Sequence, residues 1–168
     1  MDLKQIIPSE FCLGCRGCCR FSEKDSMWSP LLLNEEIECL KENNLLSGCD
    51  TKKKKLTTVL NSTEENFVCA FLSVQDNSCR IYGLRPFECR LYPFLINREK
   101  NRIYLAVDPH CSFVERNAAT SQFREYADYV ADILKSPPVV RIINEIRDMI
   151  PEYQGVMNIA ELYAYPGV

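Results

Sequence analysis

The stretch Phe11-Cys12-Leu13-Gly14-Cys15-Arg16-Gly17-Cys18-Cys19-Arg20 constrains this chain more than any other, because it places four thiols within eight positions. Sulfurs spaced as CxxC in a turn point at one centre, and the second, overlapping CxxC adds a third. That is how a chain wraps a soft metal or an iron–sulfur cluster. The two glycines between the thiols are expected to take positive φ and let the backbone approach a bound group.

The remaining composition decides between metal and disulfide. There are ten cysteines among 168 residues, whereas secreted disulfide scaffolds are shorter and denser in cysteine. Residues 1–10 lack a charged-then-apolar signal pattern. The expected compartment is the cytoplasm, where thiols stay reduced and metal holds them. A secreted disulfide protein is the opposing possibility. Net charge is −3 with a single histidine, so no basic field invites nucleic acid. No apolar run nears the roughly 20 residues that span a bilayer. The length suits one domain, 1–168, since domains commonly run about 100–150 residues.

Four more thiols follow the first loop. Cys69, Cys79 and Cys89 lie ten residues apart, too far for one turn, so each comes from a separate element end, and Cys111 stands beyond them. Around them run Cys79-Arg80-Ile81-Tyr82 and Arg85-Pro86-Phe87-Glu88-Cys89-Arg90-Leu91-Tyr92-Pro93-Phe94. This order of motifs resembles the YkgJ-like cysteine-cluster family, whose domain is described as a zinc- or iron-chelating CxxCxxCC domain. The matching residues are Cys12, Cys15, Cys18, Cys19, Cys69, Cys79, Tyr82, Arg85, Pro86, Cys89, Arg90, Tyr92, Pro93 and Cys111, spanning 11 to about 111. The resemblance implies that the eight family-type cysteines are metal ligands. A related cysteine motif occurs in flagellin lysine N-methylase-like proteins, which resemblance links to an iron–sulfur cluster; that enzyme activity does not carry over to a chain this short. Cys39 and Cys49 fall outside the pattern and read as a small buried hydrophobe in a helix and a loop thiol.

Eight thiols divide into two groups of four. Neighbouring side chains on extended backbone point to opposite sides. Cys18 and Cys19 are therefore expected to serve a large cluster or two centres rather than one zinc with Zn–S near 2.3 Å. In one reading Cys12, Cys15 and Cys18 hold a [4Fe–4S] cluster with one remote cysteine while Cys19 joins a second site. In the other, four-thiolate Zn²⁺ sites, or one binuclear site, lock the loops. The C-x2-C-x2-C run is similar to the ferredoxin arrangement, but Cys19-Arg20 replaces the ferredoxin continuation, in which a proline follows the fourth cysteine. The cysteine loops hold Arg16, Arg20, Arg80, Arg85 and Arg90 and no lysine. Arginine donates hydrogen bonds to a buried anionic centre without losing its proton. Arg85 and Arg90 are the cofactor-binding candidates; their structural alternative is pairing with Glu88 or capping local carbonyls. His110, beside Cys111, is a candidate ligand or proton donor, and Tyr82 and Tyr92 are expected to pack on the loops.

The expected fold class is α+β: a loop-rich, metal-organised cysteine region (11–111) with a short β-hairpin, and C-terminal helices (120–168) packed on it. An extended lead-in covers 1–10. Asn34 caps a helix whose first turn carries Glu35 and Glu36 and whose apolar face is Ile37 and Leu40, and Gly48 ends that region. Lys52–Lys55 make a solvated turn or strand edge, and Leu56–Leu60 a strand. Strands at 91–96 and 102–107 flank a turn. Phe123, Tyr126, Ala127, Val130 and Leu134 mark a helix stopped by Pro137-Pro138. Val140, Ile143, Ile146 and Ile150 mark another. Ile159, Leu162, Tyr163 and Tyr165 suggest a short docking helix.

No Walker loop, GxGxxG, HExxH or GxSxG is present. The expected function is metal binding: most directly an iron–sulfur protein for electron transfer or in support of a partner enzyme, with a protein partner, no nucleic acid and no membrane. Its alternatives are a zinc-stapled adaptor and a metalloenzyme with an open metal position. The sequence leaves the oligomeric state open.

Overall fold

A computed structural model describes residues 3–164. Residues 7–90 form one compact unit; residues 91–164 with 3–6 form another. Together they hold six α-helices and small antiparallel sheets, the α+β class implied by the sequence.

In the first unit Pro8 precedes α1 (Ser9–Gly14), as suits a residue with fixed φ and no N–H to lose. Helix thus begins inside the expected lead-in and takes in the first four residues of the expected cysteine loop. Along the chain follow β1 (Arg20–Phe21), α2 (Asn34–Glu42), β2 (Cys49–Asp50), β3 (Lys55–Leu56), β4 (Thr58–Asn61), β5 (Asn66–Cys69), β6 (Leu72–Ser73), β7 (Ser78–Cys79) and α3 (Phe87–Leu91). One sheet has the order β1-β5-β4; β2 pairs with β3 and β6 with β7, all antiparallel.

Helix α2 buries Leu40 as expected, but Leu33, not Asn34, occupies the cap position. Glu36 Oε2 accepts the Leu33 N–H at 2.9 Å and satisfies a donor the helix leaves open. The lysine run is a turn between β2 and β3. Asp50 Oδ1 accepts the N–H groups of Lys52 (3.0 Å) and Lys53 (2.9 Å) there. The strand expected at Leu56–Leu60 is broken at Thr57, whose N–H bonds Gly48 O at 2.9 Å and whose carbonyl takes Ala70 N–H at 3.0 Å. The core of this unit is Phe21, Leu32, Leu40, Leu56, Val68, Phe71, Leu72 and Ile81, with Cys69 among them.

In the second unit β8 (Phe94–Glu99) and β9 (Arg102–Val107) form the expected hairpin, followed by α4 (Ser112–Asn117), α5 (Ser121–Leu134), α6 (Pro137–Ile146) and β10 (Met157–Ala164). The sheet order is β10-β9-β8. Strand β8 starts at Phe94, because α3 claims residues up to Leu91, and it runs through Asn97, which was expected in the turn. Asn97 is buried yet satisfied: it donates to Asn158 Oδ1 at 2.9 Å and accepts the Tyr153 N–H at 2.8 Å. Phe94, fully buried, meets the Phe123 ring of α5 at 5.3 Å and Tyr126 at 5.6 Å, so the helix packs on the hairpin. Thr120 caps α5 by accepting the Phe123 N–H at 3.2 Å.

Pro137-Pro138 open α6 rather than merely stopping α5, since the first turn of a helix tolerates proline. Its buried face is Val139, Ile143 and Ile146, with Ile150 beyond; Val139 takes the place expected of Val140. The expected docking helix is instead a strand. After Gly155, at φ 76°, residues 157–164 hydrogen-bond along β9, from Met157 opposite Val107 to Ala164 opposite Arg102. An open strand edge offers backbone partners to the inward-facing peptide groups of an added strand, which outweighs weak helical spacing. Tyr165 lies outside the described residues. Among these residues no helix is long and apolar enough to cross a membrane.

Gly48 faces the Phe71 ring so closely that an added Cβ would stand 2.2 Å from its nearest ring carbon. Gly48→Ala is expected to lower stability by about 1–3 kcal/mol through overpacking. Phe71→Leu in the same chain should recover part of that loss, read from the urea midpoints of the single and double variants.

Candidate metal centre

The family-type thiols of the first unit are set by four named elements and one turn. Cys12 lies in α1 and Cys15 at its C-cap, where the Cys15 N–H bonds Cys12 O at 3.1 Å. Gly17 to Arg20 form a turn closed by Arg20 N–H on Gly17 O at 3.0 Å. Neither Gly14 nor Gly17 adopts the positive φ expected of it; helix and turn supply the curvature with ordinary backbone. Cys69 ends β5 and its N–H bonds Cys19 O at 3.0 Å, Cys79 ends β7, and Cys89 sits in α3.

The turn changes one expectation. Cys18 and Cys19 are not on extended backbone, and their thiols hydrogen-bond each other instead of facing apart. Two consecutive sulfurs therefore lie together. Cys19, Cys49, Cys79 and Cys89 all pack against the apolar core that contains Cys69, and of these five Cys49 alone lies outside the family pattern. Cys12 and Cys18 are exposed and Cys15 is half-buried. The thiols thus form an inner set, Cys19, Cys69, Cys79 and Cys89, and an outer loop, Cys12, Cys15 and Cys18, with the adjacent pair joining them.

Electrostatics follow this grouping. The hydrogen bond from Cys18 brings the Cys19 thiol down to about 7, against burial and with help from Arg20 and Arg85. The same bond raises Cys18, and Cys19, Cys89 and Cys12 add to that rise as neighbouring charges. Burial pushes Cys69 up to about 12, with Cys19 and Cys79 pushing the same way. Cys79 is raised by burial and by Cys19, against the pull of Arg85 and Arg80. Cys89 is raised far above the ordinary thiol range by desolvation, then by Cys19, Cys69 and Cys79. Each inner sulfur is close enough to the others to oppose their ionisation. A shared cation reverses that effect, so the chemistry of the donor set fits a thiophilic metal.

The ten cysteines are all free thiols. Among the described residues no group of three or more His, Cys, Asp or Glu side chains is drawn together tightly enough to hold an ion as it stands. The fit therefore rests on donor chemistry and neighbourhood, not on finished coordination geometry.

The arginines divide the work. The guanidinium of Arg85 lies 3.8 Å from the centre of the Tyr82 ring and its Nε donates to Tyr82 O at 3.2 Å, while its charge favours the thiolates of Cys19 and Cys79. Arg80 donates to Ala70 O at 2.5 Å. The charge of Arg90 favours the Glu36 carboxylate. Glu88 pairs with neither Arg85 nor Arg90 as its main partner; its Oε2 accepts the Leu31 N–H at 2.7 Å. Burial raises its carboxyl to about 7, against that hydrogen bond and Lys55. Glu36 Oε1 meanwhile accepts the Phe87 N–H at 2.6 Å. These two carboxylates tie α3, and with it Cys89, to the backbone around α2, a role the sequence did not signal.

Cys49 packs on the same core as the inner set and adds to the rise of Cys69, but it lies outside the family pattern, as does Cys39. Cys39 lies in α2 and Cys49 opens β2, its thiol raised by burial and donating to Leu45 O at 3.8 Å. Cys111 belongs to the second unit, buried at the cap of α4, and is the only cysteine of that unit. There Asp108 accepts the Tyr92 hydroxyl at 2.7 Å and the His110 N–H at 2.9 Å; the His110 ring, largely exposed, sits 3.2 Å from the same carboxylate. Tyr82 is exposed and hydrogen-bonds Ser9 at 2.8 Å rather than packing under the loops.

The family model CxxCxxCC, described as "Putative zinc- or iron-chelating domain", matches residues 11–118. The chain belongs to the CxxCxxCC family. No curated protein and no solved structure matches it. The family's described property, chelation of zinc or iron, makes this a metal-binding protein. In this CxxCxxCC protein, the matched segment contains all seven family-type thiols of the first unit and Cys111.

Glu36→Ala would leave two backbone donors, Leu33 N–H and Phe87 N–H, without their carboxylate. A stability loss of about 1–3 kcal/mol is expected, against a change within roughly 0.5 kcal/mol for the exposed Glu35→Ala. Urea unfolding of the two variants checks this.

Proposed function

We propose that this CxxCxxCC protein carries an iron–sulfur cluster used for electron transfer or in support of a partner enzyme. The observation that carries the reading is the adjacency of Cys18 and Cys19. Their paired thiols continue from the exposed loop into the inner set, and such a run of soft donors suits a polynuclear centre better than one small ion. Cys19, Cys69, Cys79 and Cys89 are the proposed inner ligands and Cys12, Cys15 and Cys18 the outer ones. Cys111 is retained as the eighth ligand on the motif alone. A cluster in such a site supplies one-electron chemistry, its potential set by charge and hydrogen bonds around the sulfurs. The chain's own part is to set Arg20 and Arg85 near Cys19 and Arg80 and Arg85 near Cys79, where their charge favours the thiolates, and to shield the inner four with Phe71, Leu72 and Ile81.

Zinc is the second reading, favoured by the packing of four thiols against one apolar core. That is the setting of a closed, four-coordinate structural site. It makes the protein a metal-stapled adaptor in a complex with another protein, without redox change.

Anaerobic purification with iron, acid-labile sulfide and zinc analysis tests both. Iron with matching sulfide, and a broad visible band bleached by dithionite, is expected. Colourless protein with stoichiometric zinc rejects the cluster, and protein free of either metal rejects both readings. Cys19→Ala and Cys69→Ala should each lose most of the bound metal, whereas Cys39→Ala should retain it; metal per chain is the measurement.

A further inference from the structure

The loop that bears Cys12, Cys15 and Cys18 is held from outside by one side chain. Asn77 stands in the turn between β6 and β7 at φ 58°, a left-handed conformation that asparagine tolerates better than most residues. Its Nδ2 group is aimed at the carbonyls of Cys12 (3.2 Å), Leu13 (2.9 Å) and Cys15, the last contact being the shortest. These carbonyls stand at the C-terminal end of α1, where the last turn of a helix leaves carbonyls open to partners from outside it. The Asn77 Oδ1 atom accepts Arg20 Nη1 at 2.7 Å. Arg20, its side chain only 10% exposed, reaches Glu64 Oε2 at 3.3 Å, and Glu64 Oε1 takes Arg16 Nη1 at 2.9 Å. One amide thus grips the loop at residues 12–15 with its donors and at residue 20 with its acceptor. Asn77 also lies two residues before Cys79, so the same turn positions an inner thiol.

We infer that Asn77 is the positioning residue of the metal site: its carboxamide fixes the backbone of the CxxCxxCC loop so that the outer thiols meet the inner set. The inference rests on the metal–thiolate reading above and deepens it. A ligand-bearing loop of short helix and turn has little packing of its own, and partners outside the ligand shell set the orientation of the ligands. Asparagine suits the task because it presents donors and an acceptor in one plane. Aspartate keeps the acceptor for Arg20 but turns a carboxylate toward three carbonyls. Glycine keeps the backbone conformation and removes the amide.

The test uses the full chain loaded with Zn²⁺, in wild type, Asn77→Asp and Asn77→Gly, with two readouts. The first is transfer of Zn²⁺ to a competing chelator. The second is mass-mapped alkylation of the individual thiols in the loaded protein. Both variants are expected to bind Zn²⁺ about 10–100-fold more weakly, with Cys12, Cys15 and Cys18 alkylated faster and Cys69 and Cys89 still protected. Wild-type affinity in either variant overturns the inference, as does alkylation of inner and outer thiols to the same degree, which marks a general loss of structure. A wild-type chain that takes up neither Zn²⁺ nor, on anaerobic reconstitution with iron and sulfide, a cluster brings down the metal reading itself, and the inference with it.

Discussion

Four sulfurs gathered against one apolar core repel one another as soon as they ionise. Cys19, Cys69, Cys79 and Cys89 are in this position: burial and mutual proximity raise three of them, and only Cys19, hydrogen-bonded by Cys18 and near two arginines, is brought down. Without a cation these raised thiols stay protonated; holding them as thiolates is costly, because an unpaired buried charge is among the most expensive things a fold can hold. A thiophilic cation turns the same arrangement into a binding site. On the proposed reading metal ligation and folding would be one process in the first unit, since its strands are only two to four residues long.

The scaffold meets this constraint by borrowing from several short elements. A turn supplies Cys19, strand ends supply Cys69 and Cys79, and the short helix α3 supplies Cys89. Helix α3 is too short to stand alone, so Glu36 and Glu88 attach it to the backbone at Leu33 and Leu31. The loop with Cys12 to Cys19 has the Asn77–Arg20–Glu64 network in the corresponding role. Polar side chains outside the thiol set thus do the positioning that a larger apolar core performs in other folds.

Much of this was legible in the residues. The order of the cysteine motifs pointed to the CxxCxxCC family, the ten-residue intervals assigned Cys69, Cys79 and Cys89 to separate elements, and apolar periodicity located α2, α5, α6 and the hairpin. What was misread has physical causes. The opposed side chains expected at Cys18-Cys19 belong to extended backbone, and a turn closed by Arg20 N–H on Gly17 O replaces it. The spacing of Ile159, Leu162 and Tyr163 suited a helix, but the edge of β9 offered hydrogen bonds that local pattern does not reveal. The carboxylates of Glu36 and Glu88 and the amide of Asn77 act over separations of more than 50 residues, which no local motif announces. The left-handed turn at Asn77 was the one local hint, since asparagine before Ser78 in a polar run suits such backbone.

X-ray absorption at the metal edge of protein prepared without oxygen addresses the central claim most directly, because it reads the atoms bonded to the ion. A first shell made of sulfur, at about 2.3 Å for zinc or iron, is the predicted result. A first shell of nitrogen and oxygen would contradict it, because the ion would then lie away from the gathered thiols.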